Sequence, residues 1–233
     1  MTQRGSHGSG DRLALVDAGL PATWPAVVQV IKEIGRRPDD VDVIALTHAH
    51  FDHIGFAARA QRELDVPVWV HEDDAYTAAH PYRYKAERNR FAYPFRYPRA
   101  VPILAGMVAA GALNVRGVRN AVTYDAGSTQ PLDMPGHPYL VFTPGHTDGH
   151  CALHFPDCDA VITGDALVTL DPYTGGTGPQ IVSAAATTDT RQAAASLDVL
   201  ARMTPRGSCR RHGEPWTGGI ASAVSAAKAL GAS

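Results

Sequence analysis

The chain has 233 residues, 45% of them hydrophobic and 19% charged, and a formal net charge of -2 with neutral histidines. That is enough apolar material for one sizeable α/β core, and a near-neutral balance without a basic run argues against nucleic acid as the main partner. No apolar stretch is long enough to span a bilayer, and the opening MTQRGSHGSGDR lacks the apolar centre of a signal peptide, so a cytoplasmic protein with no membrane partner is expected. Three cysteines, Cys151, Cys158 and Cys209, show no CxxC spacing and read as reduced thiols.

Residues 1–11 read as a flexible start, and 12–233 as a single domain. RLALVDAG, 12–19, is predicted to be a strand ending in a turn at Gly19. TWPAVVQVIKEIG, 23–35, is predicted to be a helix, with Thr23 as cap, Pro25 in the first turn and Gly35 at the end. VDVIALT, 41–47, is a continuous apolar run that suits a strand buried on both faces. A helix over 54–64, a short strand over 66–70 and a helix over 72–79 follow. The segment HPYRYKAERNRFAYPFRYPRA, 80–100, is rich in aromatics and arginine and broken by prolines. An apolar helix is predicted over 101–113, then strands over 139–145, 150–156 and 159–165. TDTRQAAASLDVLARM, 188–203, has the amphipathic pattern of a helix capped by Thr188 or Asp189, and 218–231 is an alanine-rich last helix.

The strand over 41–47 runs into His48, His50, Asp52 and His53. Four polar side chains at the end of a buried strand are costly without partners, and a metal is the natural one. Side chains two apart on extended chain point the same way, so His48 and His50 can grip one ion. Asp52 and His53 come where the chain turns toward the next helix and can face a second. One loop cannot close two sites. TPGHTDGH, 143–150, offers His146, TGDAL, 163–167, offers Asp165, and RRHGEP, 210–215, offers His212, each beside a glycine that lets the backbone bend.

HxHxDH, then GH in TPGHTDGH, then GDA, then HGEP together resemble the metallo-β-lactamase-fold hydrolase superfamily, in order and rough spacing from Leu15 to Pro215. The resemblance implies an α/β fold, the αββα four-layer sandwich of that family, with the site at one edge. It implies that His48, His50 and His146 bind a first metal, that Asp52, His53 and His212 bind a second, and that Asp165 bridges them. Asp17, in LVDAG, matches an aspartate that supports the ligands from behind. Fewer residues precede LVDAG than the family's usual extra strands need, so either the first sheet is short or a neighbouring copy completes it in a homo-oligomer.

The same resemblance implies two zinc ions, with iron or manganese as alternatives, and a hydroxide between them attacking an acyl carbon, with Asp52 orienting it and shuttling its proton. No GxSxG motif offers a nucleophile. The bridging Asp165 points to the glyoxalase II, lactonase and thioesterase branches, so the expected partner is a small acyl substrate: an ester, thioester or lactone. The alternatives are an iron-dependent persulfide dioxygenase-like oxidoreductase and a β-lactamase. Tyr173, in DPYTGG, is a candidate to polarise a carbonyl. The 80–100 segment is a candidate lid or pocket segment whose Tyr82, Tyr84, Phe91, Tyr93, Phe95 and Tyr97 could line an apolar cleft, with Phe91 and Tyr93 as the substrate-contacting residues. His71, His137, His150 and His154 read as packing or surface histidines.

Overall fold

A computed structural model describes residues 12–124, 127–203, 207–209 and 213–231. Its strands are β1 Leu13–Val16, β2 Val41–Ala45, β3 Val68–His71, β4 Val122–Tyr124, β5 Tyr139–Phe142, β6 Cys151–Phe155, β7 Ala160–Ile162, β8 Val168–Leu170, β9 Thr177–Gln180 and β10 Gly207–Cys209. The helices are α1 Trp24–Glu33, α2 Ala57–Leu64, α3 Ala75–Ala79, α4 Tyr93–Arg96, α5 Val101–Ala109, α6 Thr190–Ala201 and α7 Ile220–Leu230. One sheet is parallel throughout, in the order β1-β2-β3-β4. The second runs β10-β7-β6-β5, with β5, β6 and β7 antiparallel and β10 parallel to β7. β8 and β9 form a separate antiparallel pair.

Apolar alternation decides how the layers stack. On β2, Val43 and Ala45 face the second sheet, where they meet Leu140, Cys151 and Leu153. Ile44 and Leu46 face the other way, onto Trp24 and Ile31 of α1 and Ala57 and Ala60 of α2. The outer face of the second sheet carries Ala152 and Val161, covered by Leu197 and Leu200 of α6 and Val224 and Ala227 of α7. The result is helix, sheet, sheet, helix: the expected four-layer sandwich.

Several elements are shorter than their patterns predict, for local reasons. β1 stops at Val16 because Asp17 takes a left-handed conformation, φ 61°. The helix expected from 54 begins at Ala57, because the amides of Gly55 and Phe56 donate instead to Gly19 O and Ala18 O at 2.7 and 2.8 Å. The apolar helix ends at Ala109, ahead of Gly111 at φ 94°. α6 starts at Thr190, with the Asp189 carboxylate accepting from the Gln192 amide at 2.8 Å, the cap that Asp favours.

Gly145 sits where the loop after β5 lies against α6. Its φ is 126°, and a Cβ there would come within 2.1 Å of the Ala193 nitrogen. Gly145→Ala is therefore expected to destabilise the fold by about 1–3 kcal/mol through forced overpacking. Urea melts of the two proteins at equal metal content check this; an unchanged midpoint would mean that the loop does not need this contact.

Candidate metal centre

Strand ends supply the site. The loop after β2 carries His48, His50, Asp52 and His53; the loop after β5 carries His146; the turn after β7 carries Asp165; the residue after β1 is Asp17. All seven side chains are buried, from 0% exposure at His48 and His53 to 8% at Asp52. Ligands gather at the carboxyl ends of strands in α/β sheets for the same reason: the backbone turns there and side chains converge.

Two triads of donor atoms form, His48–His50–His146 and His48–His53–Asp165, each with its atoms within 4.8 Å of one another. The Asp165 carboxylate spans them. One oxygen lies 3.3 Å from His53 Nε2 and the other 3.6 Å from His146 Nε2. His146 Nε2 and His50 Nδ1 face each other at 2.9 Å. Asp52 lies just outside both triads, its carboxylate 4.0 Å from His53 Nε2. His212 lies outside the described residues.

Hydrogen bonds on the far side of each ring fix which nitrogen faces inward. A carboxylate only accepts, so the Thr47 hydroxyl donates to Asp17 (2.9 Å) and must accept from His48 Nδ1 (3.1 Å). His53 Nδ1 donates to the same carboxylate at 2.9 Å. The Thr187 hydroxyl donates to Val182 O at 2.8 Å and so accepts from His146 Nδ1 at 3.2 Å. In all three rings the inner Nε2 is left with its lone pair, the arrangement by which outer partners prepare metal-binding histidines. His48 Nε2 and His50 Nε2 are buried with no hydrogen-bond partner among the described residues. Such atoms are costly in a folded interior unless something binds them.

Burial holds the rings neutral. It lowers His50 and His146 to about 3, with the Asp52 and Asp165 carboxylates pulling only partly back at His50 and His50 itself adding to the depression at His146. His48 is lowered well below its usual value, first by burial and then by the neighbouring imidazoles. Neutral imidazoles beside carboxylates, with lone pairs turned inward, fit divalent metal ions.

A further ring of residues holds the ligands. Asp74, at the start of α3, accepts from the Ala49 amide (2.8 Å), the Thr147 hydroxyl (2.8 Å) and the Gly149 amide (2.9 Å). It thereby ties the His48 loop to the His146 loop, and burial raises its pKa against those three bonds. In the sequence it is one acid among three in EDDAYTAA, and nothing local sets it apart. His150 is not in either triad: its Nε2 accepts from the Asp165 amide at 3.0 Å while Nδ1 meets Thr143 Oγ1 at 2.8 Å, so it positions Asp165. Gly164, at φ 51°, allows that approach, since a Cβ there would fall 2.7 Å from His150 Nε2.

Of the aromatics in the 80–100 segment, Tyr84 lines the small cavity that holds His50, Asp52 and Asp165, and Phe91 and Tyr93 do not. The Tyr84 ring packs at a tilt against His50, centroids 4.1 Å apart, and the Arg90 guanidinium lies 4.1 Å from the Tyr84 centroid. Tyr84 and Tyr173 both line the small cavity that also holds His50, Asp52 and Asp165. Phe91 is a correction: it is 78% exposed and lines no part of that cavity. Alternate spacing along an irregular, proline-broken segment does not say which rings turn inward. Tyr93 is buried, but behind Tyr173, in a cluster with Val168 and Val182. His71 is a packing residue, stacked 4.8 Å from Phe142.

A profile of the metallo-beta-lactamase superfamily matches residues 8–228. The chain is 30% identical over 213 residues to the "Probable metallo-hydrolase YflN" of Bacillus subtilis (strain 168), covering 88% of this chain and 76% of that protein. The crystal structure of the metallo-beta-lactamase family protein TTHA1429 from Thermus thermophilus superposes with a TM-score of 0.66 at 24% identity, over 94% of this chain and 71% of that one. TTHA1623, solved in a di-iron-bound form, superposes with a TM-score of 0.54 at 21% identity, over 87% and 82%.

Two outcomes follow from the buried rings. Unfolded imidazoles take up protons below about pH 6.5, whereas His50, His146 and His150 resist doing so until about 3. Between those values the unfolded chain binds more protons, so stability falls as pH falls. Chemical melts of metal-free protein are expected to show a steep loss of midpoint from pH 7 to pH 4; a flat profile would contradict neutral burial. Asp74→Ala is expected to weaken metal retention at least about tenfold, read by competition with a chromophoric chelator, while circular dichroism stays native.

Proposed function

The chain belongs to the metallo-beta-lactamase superfamily and is a metal-dependent hydrolase of that fold, and we propose that its reaction is the cleavage of an ester, thioester or lactone with two zinc ions. The observation that carries this reading is the Asp165 carboxylate, which turns one oxygen toward His53 and the other toward His146. A carboxylate shared between two donor sets suits a pair of cations better than one. Imidazole and carboxylate donors without a thiolate favour zinc among the common ions, with iron and manganese as competitors. His48, His50 and His146 would hold one ion, and His53 and Asp165, with Asp52 beside them, the other.

Zinc ions bound there would bring the pKa of water toward about 7 and draw charge from a carbonyl oxygen. The chain's own groups do the rest. Asp52, which faces the cavity beside His53, accepts the proton that water gives up as its oxygen bonds to the acyl carbon. It returns that proton to the oxygen or sulfur whose bond to the carbon breaks. Tyr173 lines the same cavity, and burial raises its pKa well above the usual phenol value, so its hydroxyl stays protonated and able to donate to a substrate oxygen. Tyr84 and the neighbouring rings keep bulk water away from that point.

The direct test is metal analysis of the purified chain with a panel of ester, thioester, lactone and β-lactam substrates. Two zinc ions per chain with turnover of acyl substrates supports the reading. One iron per chain with oxygen uptake on a persulfide would replace it with an oxidoreductase. Asp52→Asn keeps the shape and removes the charge. It is expected to lower kcat by about 10²–10⁴-fold, the usual size of a general acid–base contribution, with a native circular dichroism spectrum. Near-normal turnover in that variant would rule out the role given to Asp52.

A further inference from the structure

A cavity of about 480 Å³ lies beside the metal centre, between the ends of β1 and α1 on one side and α5 on the other. That is within the size range of small-molecule pockets. Its walls are largely aliphatic and aromatic, with Leu20, Val27, Phe56, Ile103, Met107 and Leu170 among them. The few polar residues on it are occupied or sit at one end. Thr23 Oγ1 donates to Leu20 O at 2.7 Å. Asp17 already accepts from Thr47 and His53. Asp52 stands at the end nearest the metal ligands. The cavity adjoins the metal centre: Asp52, Met107 and Pro172 line both it and the small cavity that holds His50, Asp165 and Tyr173.

The composition of α5 fits this place. VPILAGMVA is apolar throughout, yet none of its residues is buried. Its half-buried residues, Ile103, Leu104 and Met107, fall on one face. Leu104 packs against the cluster around Tyr173 and Val182, while Ile103 and Met107 face the cavity. A helix that is apolar all round is normally buried, and here the side carrying Ile103 and Met107 borders a space open to a ligand. We propose that this cleft receives an aliphatic tail of the substrate, so that α5 gains its apolar partner when substrate is bound and the reacting carbonyl is set beside Asp52 and Asp165. The inference rests on the hydrolase reading for the word substrate, but the cleft itself can be tested without turnover.

The test has two arms. In the first, acetate, hexanoate and octanoate are titrated calorimetrically into the zinc-loaded chain. Affinity is expected to rise roughly fourfold per methylene until the cleft is full, and Ile103→Trp, which fills the cleft away from the metal ligands, is expected to flatten that rise to less than about twofold across the series. Ile103→Asp, which puts a charge in the same wall, is expected to do likewise and serves if the tryptophan variant does not fold. In the second arm, kcat/KM is measured for two ester series, one lengthened in the acyl group and one in the alcohol. A rise with chain length in at least one series, lost in the Ile103 variants, supports the proposal. Chain-length-dependent binding without hydrolysis of any ester would keep the cleft and remove the acyl hydrolase. Hydrolysis with no chain-length dependence in either arm, or a dependence that both variants leave intact, overturns the cleft and leaves the hydrolase standing.

Discussion

The Asp17 carboxylate decides where two of the metal-facing histidines point. It sits just past β1 in a left-handed conformation and accepts from the Thr47 amide at 2.8 Å, the Thr47 hydroxyl at 2.9 Å and His53 Nδ1 at 2.9 Å. Through the hydroxyl it also sets the His48 ring, whose Nδ1 is 3.1 Å from Thr47 Oγ1. One buried anion thus stitches β1 to the end of β2 and turns two Nε2 lone pairs inward. Without it, neither tautomer is chosen, and the loop loses the bonds that make its first turn after β2 reproducible.

A second carboxylate does the same from the other side. Asp74 joins the Ala49 amide to the Thr147 hydroxyl and Gly149 amide, so the loops from the two sheets cannot slide past one another. His150 adds a third brace, linking Thr143 of the second sheet to the amide of Asp165. The centre is therefore assembled between the sheets rather than on either one. This matters because buried neutral imidazoles do not stabilise the chain by themselves. Their cost is offset when a cation takes the inward lone pairs, so metal binding and folding free energy are coupled here.

Much of this was legible beforehand. The spacing of His48, His50, Asp52 and His53 after an apolar strand, with glycine-flanked His146 and Asp165 downstream, pointed to a metal centre because that residue set has few other physical uses. The helices were legible because apolar residues recur with period 3.6 over several turns, and strands such as β2 because a short apolar run is bounded by turn residues. β4, β8 and β9 were not: β8 and β9 pair only with each other, and β4 exists because its parallel pairing with β3 is made from far along the chain. Asp74 was missed because its importance lies in three donors that arrive from two other loops, and nothing within EDDAYTAA distinguishes one acid from its neighbours.

Under the proposed hydrolase reading, substrate selection would belong to a layer that the metal loops do not share. Two segments outside the regular sandwich border the centre: Tyr84 packs against His50, with the Arg90 guanidinium over the Tyr84 ring, and α5 walls the adjoining cleft with Ile103 and Met107. Neither contributes a ligand, so each can vary without disturbing the braced histidines. The two walls also differ in chemistry. Tyr84 and Tyr173 line the cavity beside Asp52 and Asp165 and bring hydroxyls there, whereas α5 presents only apolar surface. A substrate that satisfies both must carry its polar, reactive group toward Asp52 and Asp165 and an apolar part away from them. That division is set by where the buried charges already sit: moving a polar group into the α5 cleft would strip it of water without giving it a partner, and the wrong orientation is disfavoured by desolvation alone.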